Sequence, residues 1–322
     1  MKNNKTPYQF DKDIGFWGIP YFSQGLTSVM DGEQIMVKND QYGCRSISPF
    51  KTDHKDTIVT IGGSHSWGAG IETDQRYSEV LEQNIGKCVV NIGQASLGMD
   101  QICIAIMRKS EKYKPKIIIV EQYPWAVLRV TQNYVGDYIK PFFYLDSNKK
   151  IQLKKVPWFA KYRFIRVIIR NYRLYKKQLS EFQSGIDLSL SYDPMLDPMF
   201  LSWKTNHYLY LYELLEKILV IIRDYCRKND IKLLFTLGTT HQQFVEIDYD
   251  NKSSLIDYSL PRKKLINILD SLAIDYLDTT DSMLKEHSLS DPVIFEDGHI
   301  NIKGHKILAE LIQQRLQDNK WL

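Results

Sequence analysis

The segment 57–70, with the sequence TIVTIGGSHSWGAG, decides the fold that we predict for this chain. Its first five residues are all β-branched, which is the composition of a short buried strand. The glycine pair at 62–63 then lets the backbone turn sharply, and Ser64 follows directly. The segment therefore predicts a strand that ends in a tight loop and presents a serine hydroxyl at its tip.

The rest of the chain repeats this unit of strand, loop and helix. Strand patterns are found at residues 57–61, 88–92, 116–120, 231–236 and 274–277. Helical patterns are found at residues 76–84, 99–112, 208–228, 262–272 and 302–317. Because parallel strands require crossover connections, which are usually helices, the alternation predicts an α/β fold, a three-layer α/β/α sandwich with a five-stranded parallel sheet. We assign residues 56–322 to this domain and residues 1–55 to lead-in strands and turns that pack on it.

Composition argues against several functional classes. In 322 residues, 42 Lys and Arg against 38 Asp and Glu leave a net charge of +4, which is too small to favour nucleic acid as the main partner. The N-terminus has charges where an export signal needs an apolar stretch, and no run of about 18 uncharged apolar residues occurs, so we expect a cytoplasmic chain without a spanning helix. The cysteines lack CxxC or Cys/His spacing, so we expect reduced thiols, no metal site and no cofactor. They are Cys44, Cys88, Cys103 and Cys226.

Positive charge is concentrated between Lys149 and Lys177, where eleven Lys and Arg occur without any Asp or Glu. Apolar residues in this segment repeat at helical spacing, and they are Trp158, Tyr162, Ile165, Ile169 and Tyr172. The pattern predicts a basic amphipathic helix within a helical insertion at about 127–206. Two interpretations stay open: a lid or side helix that packs through its apolar stripe, and contact with an anionic glycan or with an anionic surface at the membrane periphery. No nucleic-acid motif accompanies the charge.

Catalysis by Ser64 would need a base to remove its proton and a carboxylate to orient that base. Of the seven histidines, His299 has the best setting, in a loop just before the last predicted helix. Asp297 precedes it by two residues, and in an extended segment such residues share a side. The pattern therefore points to Ser64 as nucleophile, His299 as base and Asp297 as acid. Asn301, at the start of the helix, has the preference of an N-cap residue.

Three segments together resemble the SGNH (GDSL-like) hydrolase superfamily, which includes bacterial serine esterases and acyltransferases. Residues 61–68, IGGSHSWG, resemble the first block of that family, and residues 91–101, NIGQASLGMDQ, resemble the second. Residues 297–301, DGHIN, followed by Gly304 and His305, resemble the last block.

The resemblance implies a flavodoxin-like sheet and a catalytic serine at the end of its first strand. It assigns the nucleophile to Ser64 and the base and acid to His299 and Asp297. It also implies an oxyanion hole, formed by the backbone N–H groups of Ser64 and Gly98.

Three positions depart from the family pattern. Gly63 stands where the family usually has Asp, a position that is not the catalytic acid. Glu296 occupies the usual place of the acid, three residues before the histidine, and remains the alternative acid. The third block usually ends in an Asn that donates to the oxyanion, but residues 121–126 read EQYPWA. Either Gln122, Gln94 or another group replaces that donor, or the reaction is slow.

The function that these observations favour is serine-dependent hydrolysis or transfer of an ester-linked acyl group. The family resemblance points to a short O-acyl group, such as acetyl, on a carbohydrate. One alternative is a catalytically weakened glycan-binding or scaffold protein that keeps the fold and the cleft. Another is a peripheral membrane lipid esterase that uses the segment from Lys149 to Lys177 as an anchor.

Overall fold

The computed structural model describes residues 6–28, 32–47, 56–184, 206–239, 241–245 and 257–322 of the 322-residue chain. Its strands are β1 (Tyr8–Asp11), β2 (Gly15–Gly18), β3 (Ser23–Thr27), β4 (Gln34–Lys38), β5 (Ile58–Ile61), β6 (Val89–Asn91), β7 (Ile117–Gln122), β8 (Tyr134–Val135), β9 (Tyr138–Ile139), β10 (Phe142–Leu145), β11 (Ile151–Lys154), β12 (Lys232–Leu237) and β13 (Asp275–Asp278). Its α-helices are α1 (Ser64–Trp67), α2 (Tyr77–Ile85), α3 (Met99–Lys109), α4 (Arg163–Ser184), α5 (Asn206–Lys228), α6 (His241–Val245), α7 (Leu260–Ser271), α8 (Thr280–Glu286) and α9 (Ile302–Asp318). Short 3₁₀ turns occupy Thr73–Gln75, Glu111–Tyr113, Pro124–Thr131 and Trp158–Lys161.

The centre of the molecule is a five-stranded sheet with the order β13-β12-β7-β5-β6. Every neighbouring pair in it is parallel, which confirms the predicted α/β sandwich. The order is flavodoxin-like, because the sheet grows in one direction from β5 to β6 and in the other from β5 to β7. Such a reversal opens a crevice at the carboxyl ends of the two strands on either side of it, here β5 and β7.

Helices cover both faces of this sheet. Ile58 of β5 packs in a cluster with Tyr77 of α2 and Leu308 of α9. The next residue, Val59, faces the other side and packs in the cluster that contains Ile218 of α5. A strand covered on both faces needs apolar side chains at successive positions, which explains why the sequence shows continuous rather than alternating apolar runs.

Strand β7 is longer than the sequence pattern predicts. The apolar run ends at Val120, but the strand continues through Glu121 and Gln122, which pair with Thr236 and Leu237 of β12. Both side chains are buried, with exposures of 3%. The extension places two polar residues at the carboxyl end of the central strand, beside the crevice.

The lead-in forms two antiparallel hairpins, β1 with β2 and β3 with β4. After them, the fully buried Arg45 donates to the carbonyl oxygens of Gly68 (2.6 Å) and Ile71 (2.6 Å). These carbonyls belong to the loop that follows α1, so the lead-in holds that loop in place. Residues 1–5, 29–31 and 48–55 of the predicted lead-in lie outside the described residues.

The insertion at about 127–206 differs from our prediction of a helical insertion, because it also contains strands. Two antiparallel hairpins, β8 with β9 and β10 with β11, precede its helix. The physical reason is local: aromatic and β-branched residues favour strands, and Gly136 supplies the positive φ (53°) of the first turn. Residues 185–205 lie outside the described residues.

The basic amphipathic helix also differs from its prediction. Trp158 lies in a separate 3₁₀ turn, and α4 starts only at Arg163. The predicted apolar stripe is largely exposed, with exposed fractions of 74% for Trp158 and 58% for Tyr172. Arg166, by contrast, is buried and only 8% exposed. Packing of a side helix through this stripe is therefore partial: Ile165 and Ile169 are half-buried, while Arg163 and Arg170 on the basic face are exposed. Among the described helices, none has the length and apolar character needed to cross a membrane.

Candidate active site

Ser64 lies at the switch point of the sheet, at the carboxyl end of β5, and it is the first residue of α1. A Cβ atom on the glycine at 62 would lie 2.4 Å from the Glu121 carboxylate, so this close turn requires glycine. Within the described residues, the backbone N–H of Ser64 has no acceptor. The local structure thus presents both the hydroxyl and the N–H of Ser64 at the crevice.

The structure brings Ser64, His299 and Asp297 together. Ser64 Oγ lies 2.8 Å from His299 Nε2, and His299 Nδ1 lies 2.8 Å from Asp297 Oδ2. Since an ionised carboxylate only accepts, Nδ1–H donates to Asp297 and Nε2 is left to accept from the serine hydroxyl. The three side chains form one continuous chain of hydrogen bonds.

The segment that carries the histidine is a tight turn and not the extended segment that we had assumed. Gly298 N–H donates to Phe295 O (2.9 Å), and Gly298 has a φ of +89°. The turn also brings His299 N–H to Asp297 Oδ1 (3.1 Å), so the carboxylate holds both the ring and the backbone of the histidine. Glu296, the alternative acid, is exposed and makes no hydrogen bond to His299.

Two neighbouring residues of the last block are structural. Asn301 is the N-cap of α9, as predicted, and its Oδ1 accepts from Gly304 N–H (3.1 Å). His305 is fully buried, and its Nδ1 accepts from Tyr77 N–H (3.1 Å), which ties α9 to α2. Burial lowers the pKa of His305 to about 3, so this imidazole stays neutral.

His65 is a contributor to the site that the sequence analysis missed. Its ring stacks on Tyr123 (3.5 Å between centroids) and lies 4.6 Å from the ring of His299. Its Nδ1 accepts from Ile300 N–H at 3.3 Å. Burial, with His299 as a secondary cause, holds the pKa of His65 well below its ordinary value, so a neutral ring supports one face of the His299 ring. The only signal in the sequence was its position next to Ser64.

Glu121 lies beneath the nucleophile turn. Its Oε2 accepts from Ser66 N–H (3.2 Å), while its Oε1 has no partner among the described residues. Burial raises the pKa of Glu121 to about 8, partly offset by the hydrogen bond from Ser66 and by the charge of Arg129. The group is therefore largely protonated at neutral pH, and it anchors the turn as a neutral carboxyl.

The second block supports the turn from the other side. Asn91 Nδ2–H donates to Ser66 O (2.7 Å), and its Oδ1 accepts from Gly93 N–H (2.8 Å). Gly98 is the N-cap of α3, and its N–H donates to Gln101 Oε1 (3.2 Å). The second oxyanion donor that the resemblance implies is thus engaged by a side chain in this structure.

Each glutamine considered as a replacement for the third-block Asn uses one of its two amide hydrogens within the fold, and Gln122 also lines the recess at Ser64. Gln122 Nε2–H donates to Tyr123 O (2.8 Å), and Gln94 Nε2–H donates to Gly43 O (3.3 Å). The group that does line the recess beside Ser64 with a positive charge is Arg129.

Arg129 occupies the space that the glycine at 63 leaves open. Its Nη1 donates to Leu97 O (3.1 Å) and would lie 3.4 Å from a Cβ atom at position 63. Burial lowers the pKa of Arg129, and the nearby Glu121 acts in the opposite direction. Arg129 lies in the insertion, outside the three blocks, so no sequence pattern pointed to it as a residue of the site.

The described residues hold no cluster of three or more His, Cys, Asp or Glu side chains that could bind a metal ion. All four cysteines are free, and Cys88 is the one that is partly exposed.

Comparison with known proteins gives structural neighbours only. No protein-family model and no curated protein sequence matches the chain. Similar solved structures include a protein assigned to the lipolytic G-D-S-L family from Desulfitobacterium hafniense (10% identity, 81% of this chain and 99% of that one, TM-score 0.45). An acetyl xylan esterase (10% identity, 81% and 99%, TM-score 0.44) and a lipase/acylhydrolase from Enterococcus faecalis (11% identity, 82% and 97%, TM-score 0.44) are also similar.

Proposed function

We propose that this chain is a serine hydrolase that cleaves an ester-linked acyl group, and that the group is a short one, such as acetyl, on a carbohydrate. The observation that carries the proposal is the relay from Asp297 through His299 to Ser64, with 2.8 Å at each step. Both distances are within the reach that proton transfer needs.

In the proposed reaction, Ser64 Oγ attacks the ester carbonyl while His299 Nε2 takes the hydroxyl proton. Asp297 stabilises the imidazolium that forms. His299 then protonates the leaving alcohol oxygen, the carbonyl–oxygen bond breaks, and the acyl group remains on Ser64. A water molecule that loses its proton to the same imidazole attacks this ester and releases the acid. A sugar hydroxyl in place of water would give acyl transfer.

The tetrahedral intermediate needs donors for its oxyanion. The N–H of Ser64 supplies one. Arg129, which lines the same recess, supplies positive charge on the side where the family's Asn is missing. A donation from Gly98 would require its N–H to exchange Gln101 for the oxyanion.

Two features support a short acyl group and an active enzyme. The recess beside Ser64 is small and is lined by Leu97, Tyr123 and Ala126, which leaves little room for a long acyl chain. The complete hydrogen-bonded relay favours catalysis over the alternative of a weakened glycan-binding protein, which would be under no requirement to keep it.

The test is covalent labelling by a fluorophosphonate together with hydrolysis of p-nitrophenyl acetate. We expect intact-mass analysis to show one phosphonyl adduct, mapped to Ser64 by peptide sequencing. Ser64→Ala should abolish both labelling and turnover, whereas Ser290→Ala, at an exposed position, should change neither. A folded wild-type protein that stays unlabelled and does not turn over the ester would refute the proposal.

A further inference from the structure

A cavity of about 990 Å³ is separate from the recess at Ser64 but is lined in part by the same loop, the one that follows β6. Its wall combines the lead-in strand β1, the loop after β6, the turn between β8 and β9, and the first turns of α4 with the segment that leads into them. Four cationic side chains line it, and they are Lys161, Arg163, Arg166 and Arg170. The cavity holds part of the positive charge that the sequence concentrates in the insertion.

The positive charge of this cavity is mostly uncompensated. The lining contains one carboxylate, Asp137, which pairs with Arg170 at 3.0 Å. Lys161 and Arg163 are exposed, and neither has an acidic partner within 4.0 Å among the described residues. An anion that enters the cavity therefore meets several cations that are not neutralised from within the fold.

Arg166 makes this a built site rather than a basic surface. Its side chain is only 8% exposed, and its Nη1 donates to the carbonyl oxygen of Ala160 at 2.7 Å. Its guanidinium lies 4.8 Å from the ring centroid of Tyr138, and its Nε has no acceptor in the described part of the chain. A buried charge without a counter-ion is costly, and a ligand carboxylate would supply the missing partner. A guanidinium fork matches a carboxylate in geometry as well as charge.

The wall of the cavity is connected to the nucleophile turn. Tyr138 Oη–H donates to Tyr8 O (3.2 Å), and Tyr8 Oη accepts from Ala95 N–H (3.2 Å). Ala95 belongs to the loop that also carries Leu97 into the recess at Ser64. The ring of Tyr8 further lies 6.4 Å from that of Trp67, in the same helix as Ser64. The cavity and the recess at Ser64 are therefore lined by consecutive residues of one loop, Ser96 and Leu97.

We propose that this cavity binds the anionic sugar of an acidic carbohydrate, with a carboxylate held by Arg166 and the rim cations Lys161 and Arg163. The inference rests on the proposed function, because it names the class of substrate that the Ser64 site acts on. The rings of Tyr8 and Tyr138, together with Phe10, offer flat apolar surfaces for sugar rings. A concave cavity with its key guanidinium buried fits an oligosaccharide better than a flat lipid surface, which reaches only protruding charges.

Binding is measured on full-length Ser64→Ala, so that no turnover interferes. The probe is tetragalacturonate, and its fully methyl-esterified form is the uncharged counterpart, both titrated by calorimetry. We expect the acid to bind about tenfold or more tightly than the methyl ester, because its carboxylates add charge-assisted contacts that the ester lacks. Adding Lys161→Gln/Arg163→Gln should lower affinity for the acid about tenfold and leave affinity for the ester unchanged.

The matched control is Arg227→Gln/Lys232→Gln, which removes the same charge at exposed positions beside the amino end of β12. It should leave binding of tetragalacturonate unchanged. Equal binding of acid and ester, or an equal loss in the control, would overturn the inference. Co-sedimentation with phosphatidylglycerol vesicles that requires Lys161 and Arg163, without binding of tetragalacturonate, would assign the cations to a membrane and also overturn it. Fluorophosphonate labelling of the wild type tests the proposed function separately, because cavity binding in Ser64→Ala does not depend on it.

Discussion

At the residue scale, two adjacent carboxylates differ in their contacts with His299. Asp297 holds both the ring and the backbone N–H of His299, whereas Glu296 points to solvent. Replacing Asp297 by Asn should leave the base without its orienting carboxylate and favour the wrong tautomer. We expect kcat for p-nitrophenyl acetate to fall about 10³- to 10⁴-fold. Steady-state kinetics at neutral pH measures this change.

Glu296→Gln serves as the matched control for that variant. It should retain wild-type kcat because the side chain touches none of the reacting groups. If Glu296→Gln lost activity as strongly as Asp297→Asn, the assignment of the acid would be wrong.

Glu121 makes a pH-dependent contribution to stability. Its pKa is raised to about 8 by burial, so the folded chain keeps a proton that the unfolded chain releases above its ordinary pKa of about 4.5. Stability from this group is therefore full in mild acid and declines as pH rises toward 8, by about 1.4 kcal/mol for each pH unit over which the two states differ by a proton. Glu121→Gln should remove this slope. Urea unfolding of the wild type and of Glu121→Gln at pH 5 and pH 8 tests this prediction. If their free energies of unfolding differed by the same amount at both pH values, the prediction would be contradicted.

Arg129 is expected to act on the transition state of the reaction. Arg129→Met removes a guanidinium from the recess at Ser64, and loss of such a donor lowers kcat by about 10²- to 10³-fold. KM for p-nitrophenyl acetate should change little, because the charge develops only in the transition state. Arg227→Met, at an exposed position of α5, should leave both constants unchanged. An effect of Arg129→Met on KM alone would argue for a binding role instead.

The residues of the relay could be predicted from sequence because each follows from local context. Ser64 ends a strand, and His299 precedes a helix whose N-cap is Asn301. By contrast, the stacking of His65 on Tyr123 and the burial of Glu121 depend on which strands become neighbours. No local pattern indicates that a glutamate will lie beneath a serine 57 positions earlier in the chain.

At the element scale, the lead-in stabilises the loop after the nucleophile helix through Arg45. This fully buried side chain also donates to Thr73 Oγ1 (3.1 Å), in addition to the carbonyls of Gly68 and Ile71. Arg45→Met would leave those buried oxygens without donors, at about 1–3 kcal/mol each. We expect urea unfolding to show a loss of about 3 kcal/mol or more. Lys38→Met, at an exposed position of β4, should lower the free energy of unfolding far less. Equal losses in the two variants would contradict this role of Arg45.

Element types were predictable where the apolar period was clear, and boundaries were less so. The α9 prediction at 302–317 is one residue short of its observed end at Asp318. In β7, the sequence indicated an end at Val120 because glutamate and glutamine do not favour strands. Pairing with β12 overrides that preference and carries the strand two residues further. In α4, helical spacing was correct in type but not in orientation, since spacing alone does not decide which face meets the rest of the molecule.

At the scale of the whole molecule, Ser64 and His299 meet across 235 positions of sequence. This meeting was predictable because parallel strands bring all their carboxyl-end loops to one edge of the sheet. The placement of the insertion could not be predicted from the sequence. The turn between β8 and β9 and helix α4 form part of the wall of the basic cavity, and that depends on contacts made by individual buried side chains.

One such contact joins the insertion to the sandwich. Lys140, between β9 and β10, pairs with Asp100 of α3, and both side chains are fully buried. Its ammonium also donates to Arg129 O (2.8 Å), so the pair helps to fix the residue that lines the recess at Ser64. Lys140→Met would leave the Asp100 charge buried and unpaired, which costs about 3–5 kcal/mol.

We therefore expect Lys140→Met to lower the free energy of unfolding by that amount and to reduce kcat as well. Asp100→Asn/Lys140→Met removes both charges, and it should be more stable than Lys140→Met alone because no unpaired ion remains. Urea unfolding followed by tryptophan fluorescence and far-UV circular dichroism measures both variants. Coincident transitions would show that the insertion and the sheet unfold together. A double variant less stable than Lys140→Met would mean that the pair does not join the two parts as described.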